Sequence, residues 1–417
     1  MSHAPPPPFR PPPIRAFNAA GRFAARLGVR GFAFDEDVVL SAARAQAKLD
    51  DFGPASFLPG LRTLIASLER DAKLNAFGRY FARRQLVELL VTRLRLVHWR
   101  TCNPEVEKQE IVRPLFVLGL PRTGTTLLYS LLALDPAHRS PLSWEVDDPC
   151  PPPEGASYES DPRIDQSAWR FRQLEQLAPG IQAIHPVGAS LPQECIVITA
   201  SEFMSIRFEM TFDVASYQDW LLEADMTGCY AWHKRFLQHL QSRYAKERWV
   251  LKSPGHLGAI DALLAAYPDA RIVQTHRDPR RVVPSVSSLE WTLRGVASDA
   301  QDPRALGRQQ LRAWSRTLRA GMEARARNAA REGQFADLHF REIARDPIAC
   351  VRRIYERFGF TYTPAFEQRM SEYVAAHPRE EHGAHRYTLE GFGLHAGEVD
   401  AAFADYCARF EVQREEA

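Results

Sequence analysis

Apolar residues recur three and four positions apart through residues 16–110, and then the period breaks. Leu86, Leu89, Leu90, Leu94 and Val97 fall on one face of an amphipathic stretch running from Pro59 to His98. RAFNAAGRFAARLG and DEDVVLSAARAQAKL, upstream of it, carry the same spacing. The pattern predicts a helical N-terminal region over 16–111 with no chemistry of its own. Residues 1–15 are rich in proline where a secretory leader would need an apolar core, so they predict an extended, disordered arm.

At Leu115 the pattern becomes a short continuous apolar run, LFVLGL, bounded by Arg113 before it and a Pro/Gly turn after it. Such a run reads as a buried parallel strand. TTLLYSLLAL then opens a helix, and the Pro/Asp/Ser-rich stretch 135–162 predicts a loop. Helices are expected over 165–178, over the aromatic-rich stretch 201–247 and over about 397–410. RWVLKSP (248–254), ARIVQTHRD (270–278) and FADLHFREI (335–343) are three more strands, each beside a helical segment. Residues 112–417 therefore predict one α/β domain, a P-loop-type parallel sheet flanked by helices, with helical and loop insertions.

Composition narrows the partners. The 53 basic and 51 acidic residues leave a net charge of only +2, so any anion site must be built locally and a nucleic-acid role has no support. No apolar run reaches the roughly 18 residues of a membrane helix. The six cysteines are widely spaced, without a CxxC pair or a Cys/His cluster at ligand spacing, which predicts a reduced cytoplasmic protein with no metal. Lysine occurs six times against 47 arginines, which draws attention to Lys252 at the end of a predicted strand.

The chemistry begins at Gly119-Leu-Pro121-Arg122-Thr123-Gly124-Thr125-Thr126, which has P-loop glycine spacing and lies between strand and helix. A turn there points backbone amides inward, and the helix start adds unpaired amides and a favourable dipole. Thr125 and Thr126 stand where a nucleoside triphosphatase has lysine and its magnesium-binding hydroxyl, so ATP or GTP hydrolysis by that route is disfavoured. The positive charge sits instead at Arg122, able to meet charge that builds on a bridging oxygen.

With these residues the chain resembles sulfotransferases that use 3'-phosphoadenosine 5'-phosphosulfate (PAPS). The resemblance is to the bacterial branch with a P-R-[ST]-G-T-T loop, akin to the tyrosylprotein and carbohydrate enzymes. PRTGTTLL (121–128) is similar to that family's 5'-phosphosulfate loop. RIVQTHRDPRRVVPS (271–285) is similar to its 3'-phosphate motif, with Arg277 and Ser285 in the two gripping positions, and WVLKSPGH (249–256) to a third block. The resemblance spans roughly 112–345, with a weaker echo at 385–394. It implies sulfuryl transfer from PAPS to a hydroxyl of a small or lipid-like acceptor by in-line displacement, with release of PAP and no metal. It also implies Lys252 close to the transferring group.

The general base stays open. Glu145, after the loop helix, occupies nearly the place of the tyrosylprotein enzymes' glutamate; Glu194 and His256 are the alternatives. The aromatic stretch 201–236 and the loop 140–165 are expected to wall the acceptor pocket. Two rivals are a P-loop small-molecule kinase, which lacks its loop lysine here, and a non-catalytic nucleotide-binding protein. A homo-oligomer stays open.

Overall fold

The computed structural model describes residues 5, 9–28, 32–177, 188–377 and 387–415. Its centre is a sheet of β1 (Leu115–Gly119), β2 (His138–Arg139), β3 (Arg248–Lys252), β4 (Arg271–His276) and β5 (Phe335–His339). The strands run parallel in the order β2-β3-β1-β4-β5, with Leu115 level with Val250 on one side and Arg271 on the other. β1 is buried along its whole length, as a strand covered on both faces must be. Its alternate side chains go to opposite layers. Phe116 and Leu118 enter the core shared with Trp232, Phe236 and Leu263, while Leu115 and Val117 meet Leu128, Leu131 and Ile354. The expected α/β architecture is what the chain adopts.

This topology places both expected anion-binding motifs at one edge. β1 and β4 are neighbours, so the turn after Gly119 and the turn after His276 emerge side by side at the carboxyl ends of the strands. Open α/β sheets bind ligands at that edge.

The N-terminal helices are not a separate unit. Glu36–Ala47, Leu58–Arg70 and Ala76–Cys102 share a core with Phe203, Phe208, Phe212 and Tyr217. Arg93 on the longest of them is fully buried and ion-paired with buried Glu202. Its guanidinium also lies 4.0 Å from the Trp232 ring centre and donates to Phe52 O at 2.8 Å.

Local details differ from expectation. A helix begins at Pro12, inside the stretch expected to be a disordered arm, and Arg10 donates to Gly295 O at 2.7 Å and pairs with Asp299 at 3.1 Å. Proline at the first helical turn is tolerated because its missing N–H would be unpaired anyway. Residues 1–4 and 6–8 of that arm lie outside the described residues. The stretch expected as loop over 135–162 contains β2 and a short helix, Ser143–Asp147. The aromatic stretch is broken into Arg207–Thr211, Ala215–Leu221 and Thr227–Gln241. The last expected helix is two, Ala396–Ala402 and Ala404–Arg409. Among the described residues no helix is long and apolar enough to cross a membrane.

Candidate active site

Three residues of the turn after β1 have positive φ: Gly119 (144°), Arg122 (66°) and Gly124 (88°). A Cβ at position 119 would lie 2.4 Å from Thr275 Oγ1 and 2.6 Å from Thr275 O, so only glycine lets β1 and β4 stay together where the turn leaves. Gly124 caps the helix Thr125–Ala133, whose first amides have no intrahelical partner. Thr123 does not face outward. Its buried hydroxyl donates to Leu120 O at 2.7 Å and lies 2.6 Å from Thr275 Oγ1, which fixes the turn from beneath. Any ligand contact of Thr123 is left to its backbone.

Lys252 ends β3 and is buried, with Nζ 2.5 Å from Glu194 Oε1 and 3.3 Å from Thr126 Oγ1. These groups line a cavity of about 440 Å³ together with Pro121, Arg122, Gly124, Thr125 and Arg277. Its remaining wall is largely apolar, formed by Ile196, Ile206, Met210, Leu289, Leu293 and Trp314. One space therefore joins the phosphate-type turn, an ammonium, a carboxylate and a hydrophobic chamber.

Arg277 follows β4 and stacks on Phe340, 3.6 Å from the ring centre. Nη1 donates to Arg122 O at 2.7 Å, which ties the second motif to the first. Nε and Nη2 hold both oxygens of Glu415, at 2.8 and 2.9 Å. That carboxylate stands in for a bidentate oxyanion, the geometry in which guanidinium binds phosphate. Glu415 N in turn donates to Asp278 Oδ2 at 2.8 Å. Burial is the first cause lowering the Arg122 pKa; Tyr387 opposes it, and the like charge of Arg277 adds to it. A second anion beside these guanidiniums would be stabilised. Ser285 is buried on the helix Pro279–Ala297, one position before Val286, which reaches the cavity.

Two base candidates are placed elsewhere. Glu145 is fully buried and both its oxygens are engaged: Oε2 by Arg139 at 2.6 Å, Oε1 by Leu142 N at 2.9 Å. It closes the first turn of Ser143–Asp147 and is not among the residues that line the cavity. His256 lies in an adjoining chamber of about 70 Å³, behind Ile196, Ile206 and Trp314. Its Nδ1 is 2.6 Å from Tyr230 OH, and burial holds its pKa well below the usual histidine range, with His233 adding to the effect. Glu194 is the expected base that the fold brings to the cavity.

His256 also belongs to a buried trio. Cys195, His233 and His256 each offer a ligand atom within 4.8 Å of the others. The three are scattered along the chain, so sequence spacing gave no sign of a metal-capable grouping. Glu415 was likewise missed: a lone acid far from the motif it meets carries no local signal.

The model of the sulfotransferase family matches residues 114–364. The crystal structure of sulfotransferase STF1 from Mycobacterium tuberculosis superposes with a TM-score of 0.81 at 34% identity, over 90% of this chain and 100% of that one. STF9 from Mycobacterium avium gives 0.84 at 30% identity, over 92% and 98%. The omega-hydroxy-beta-dihydromenaquinone-9 sulfotransferase Stf3 of Mycobacterium tuberculosis is 25% identical over 303 residues, 69% of this chain and 74% of that protein.

Proposed function

The chain belongs to the sulfotransferase family and transfers a sulfuryl group from PAPS to an acceptor, and from that premise we propose how its residues divide the work. The turn 119–126 holds the 5'-phosphosulfate. Arg277 takes the 3'-phosphate in the position of the Glu415 carboxylate, with Ser285 as its partner. The apolar chamber holds the body of the acceptor.

Glu194 accepts the proton of the acceptor hydroxyl, whose oxygen then bonds to sulfur as the bond from sulfur to the 5'-phosphate oxygen breaks. Lys252 meets the sulfuryl oxygens. Arg122 and the amides of Thr125 and Thr126 meet the charge arriving on the departing phosphate of PAP. Before the donor binds, Glu194 and Lys252 hold each other. As the sulfuryl group draws Lys252 away, the carboxylate is left facing the acceptor. The observation that supports this reading is the contact of Lys252 with both Glu194 and Thr126 in one cavity.

A hydroxylated, lipid-like acceptor suits that cavity, because pockets for such molecules are mainly apolar with few polar groups. The naming of Stf3 for a hydroxylated menaquinone supports the same class. A cytoplasmic setting goes with cysteines that form no disulfide among the described residues.

Calorimetry with PAP, ADP and ATP tests the donor half: PAP must bind at least several-fold more tightly than either. Turnover by the Glu194→Gln enzyme tests the base. Wild-type rates in that variant would exclude Glu194.

A further inference from the structure

Among the described residues, each buried arginine pairs with a carboxylate: Arg93 with Glu202, Arg100 with Glu107, Arg139 with Glu145, Arg248 with Glu247, Arg294 with Glu290 and Arg325 with Asp337. Arg207, only half-buried, has no such carboxylate partner among the described residues. It opens the helix Arg207–Thr211 and lines the apolar part of the cavity beside Ile206 and Met210. Among the described residues its side chain makes no ion pair and no hydrogen bond; only its backbone is engaged, N to Ser205 Oγ at 3.2 Å and O from Thr211 Oγ1 at 3.0 Å.

Two acids are near enough to favour its charge, Asp147 and Glu88, and neither supplies a contact. Glu88 is taken by Arg84 at 2.8 Å. Asp147 is itself deeply placed, and burial pushes its carboxyl up from the ordinary range. Desolvation is the leading effect on Arg207 and lowers its pKa, yet the residue keeps part of its accessible surface. The residue is half-buried and is among those that line the cavity. A guanidinium has five N–H donors and cannot shed its charge, so a desolvated one without partners is costly unless something that enters the cavity completes it.

We propose that Arg207 is an oxyanion subsite in the acceptor chamber, and that the enzyme favours apolar alcohols carrying a carboxylate or comparable oxyanion away from the reacting hydroxyl. The inference rests on the sulfuryl-transfer reading of this cavity. It adds a second polar anchor, so the acceptor is gripped at the hydroxyl by Glu194, along its body by the apolar wall, and at its far group by Arg207. Such an anchor also sets direction: a molecule with a hydroxyl at one end and an anion at the other enters in one orientation.

The test compares 8-hydroxyoctanoate with its methyl ester as acceptors, with PAPS as donor, in the wild type, Arg207→Met and Arg207→Lys enzymes. The wild type is expected to prefer the acid by roughly tenfold or more in kcat/KM, mainly through KM, as a charge-assisted contact would give. Arg207→Met should lose the preference, Arg207→Lys should keep part of it, and KM for PAPS should not move. Equal use of acid and ester by the wild type overturns the proposal, and so does an Arg207→Met enzyme that slows on both alike. If neither compound is turned over, calorimetry of octanoate with the enzyme–PAP complex decides. Binding roughly tenfold tighter to wild type than to Arg207→Met supports the subsite; equal binding refutes it. PAP affinity, measured in the same titrations, reports separately on the donor half: failure of PAP to bind would sink the sulfuryl-transfer reading rather than the subsite alone.

Discussion

Arg277 holds Glu415 in a two-point grip, Nε to Oε1 at 2.8 Å and Nη2 to Oε2 at 2.9 Å, at the end of the strand beside the phosphate-type turn. An arginine with a carboxylate in place is saturated for bidentate binding, so a phosphate must displace that carboxylate to use the same donors. Glu415→Gln should therefore bind PAP more tightly than wild type, by about three- to tenfold given the net value of charged hydrogen bonds. Arg277→Ala should bind it at least about tenfold more weakly. Calorimetry with PAP checks both; a Glu415→Gln protein with unchanged or weaker affinity would show that the tail does not compete.

Arg122 is expected to act on the chemical step. Replacing one preorganised donor to a developing oxyanion costs about 10²-fold or more in kcat. Arg122→Ala should show a loss of that order under saturating PAPS, measured by single-turnover kinetics, and a smaller change in PAP affinity.

Glu145 and Glu194 should separate cleanly. Glu145→Ala leaves Arg139 buried without its carboxylate, a change worth about 3–5 kcal/mol. Denaturant unfolding should register that loss, while kcat per folded molecule stays within a few-fold. Glu194→Gln should do the reverse, with near-normal unfolding and a kcat reduced by about 10²-fold or more, the range for general-base loss.

Stability should fall as pH rises across the range set by Glu209. Burial, and then the neighbouring charge of Glu290, push the Glu209 carboxyl up to about 8. Between the ordinary carboxyl range, near 4.3, and about 8, the folded protein keeps a proton that the unfolded chain has released. The folded state binds more protons there, so unfolding becomes easier with each step up in pH. Glu290, raised to about 7 by burial, acts with the same sign. Urea titrations from pH 5 to 8.5 should give a shallower pH slope for Glu209→Gln than for wild type, with the variant the more stable at the upper end.

What could be read in the sequence followed from how local each signal was. The turn 119–126 and the segment around Arg277 are contiguous motifs, and the pairing of β1 with β4 brings them to one edge. The placement of Glu145 and Glu194 was not local. It depends on Arg139 turning inward to Glu145 and on Lys252 meeting Glu194 across a long stretch of sequence. A nearer clue did exist, since Glu145 stands at the third position of a short helix and reaches back to the amide of Leu142, a capping arrangement. The breaks in the aromatic stretch were hidden for a different reason. Phe203, Phe208 and Tyr217 are set by packing against the N-terminal helices, not by their own periodicity.

That shared packing ties two properties that are usually considered apart. The chamber wall is laid on helices drawn from the N-terminal part of the chain, and the Arg93–Glu202 pair rivets the two together. Substitutions beneath the wall are expected to reshape the proposed acceptor chamber and, through the same packing, to register in thermal robustness. On the proposed reading of the chamber, substrate range and durability are inherited as one trait in this scaffold.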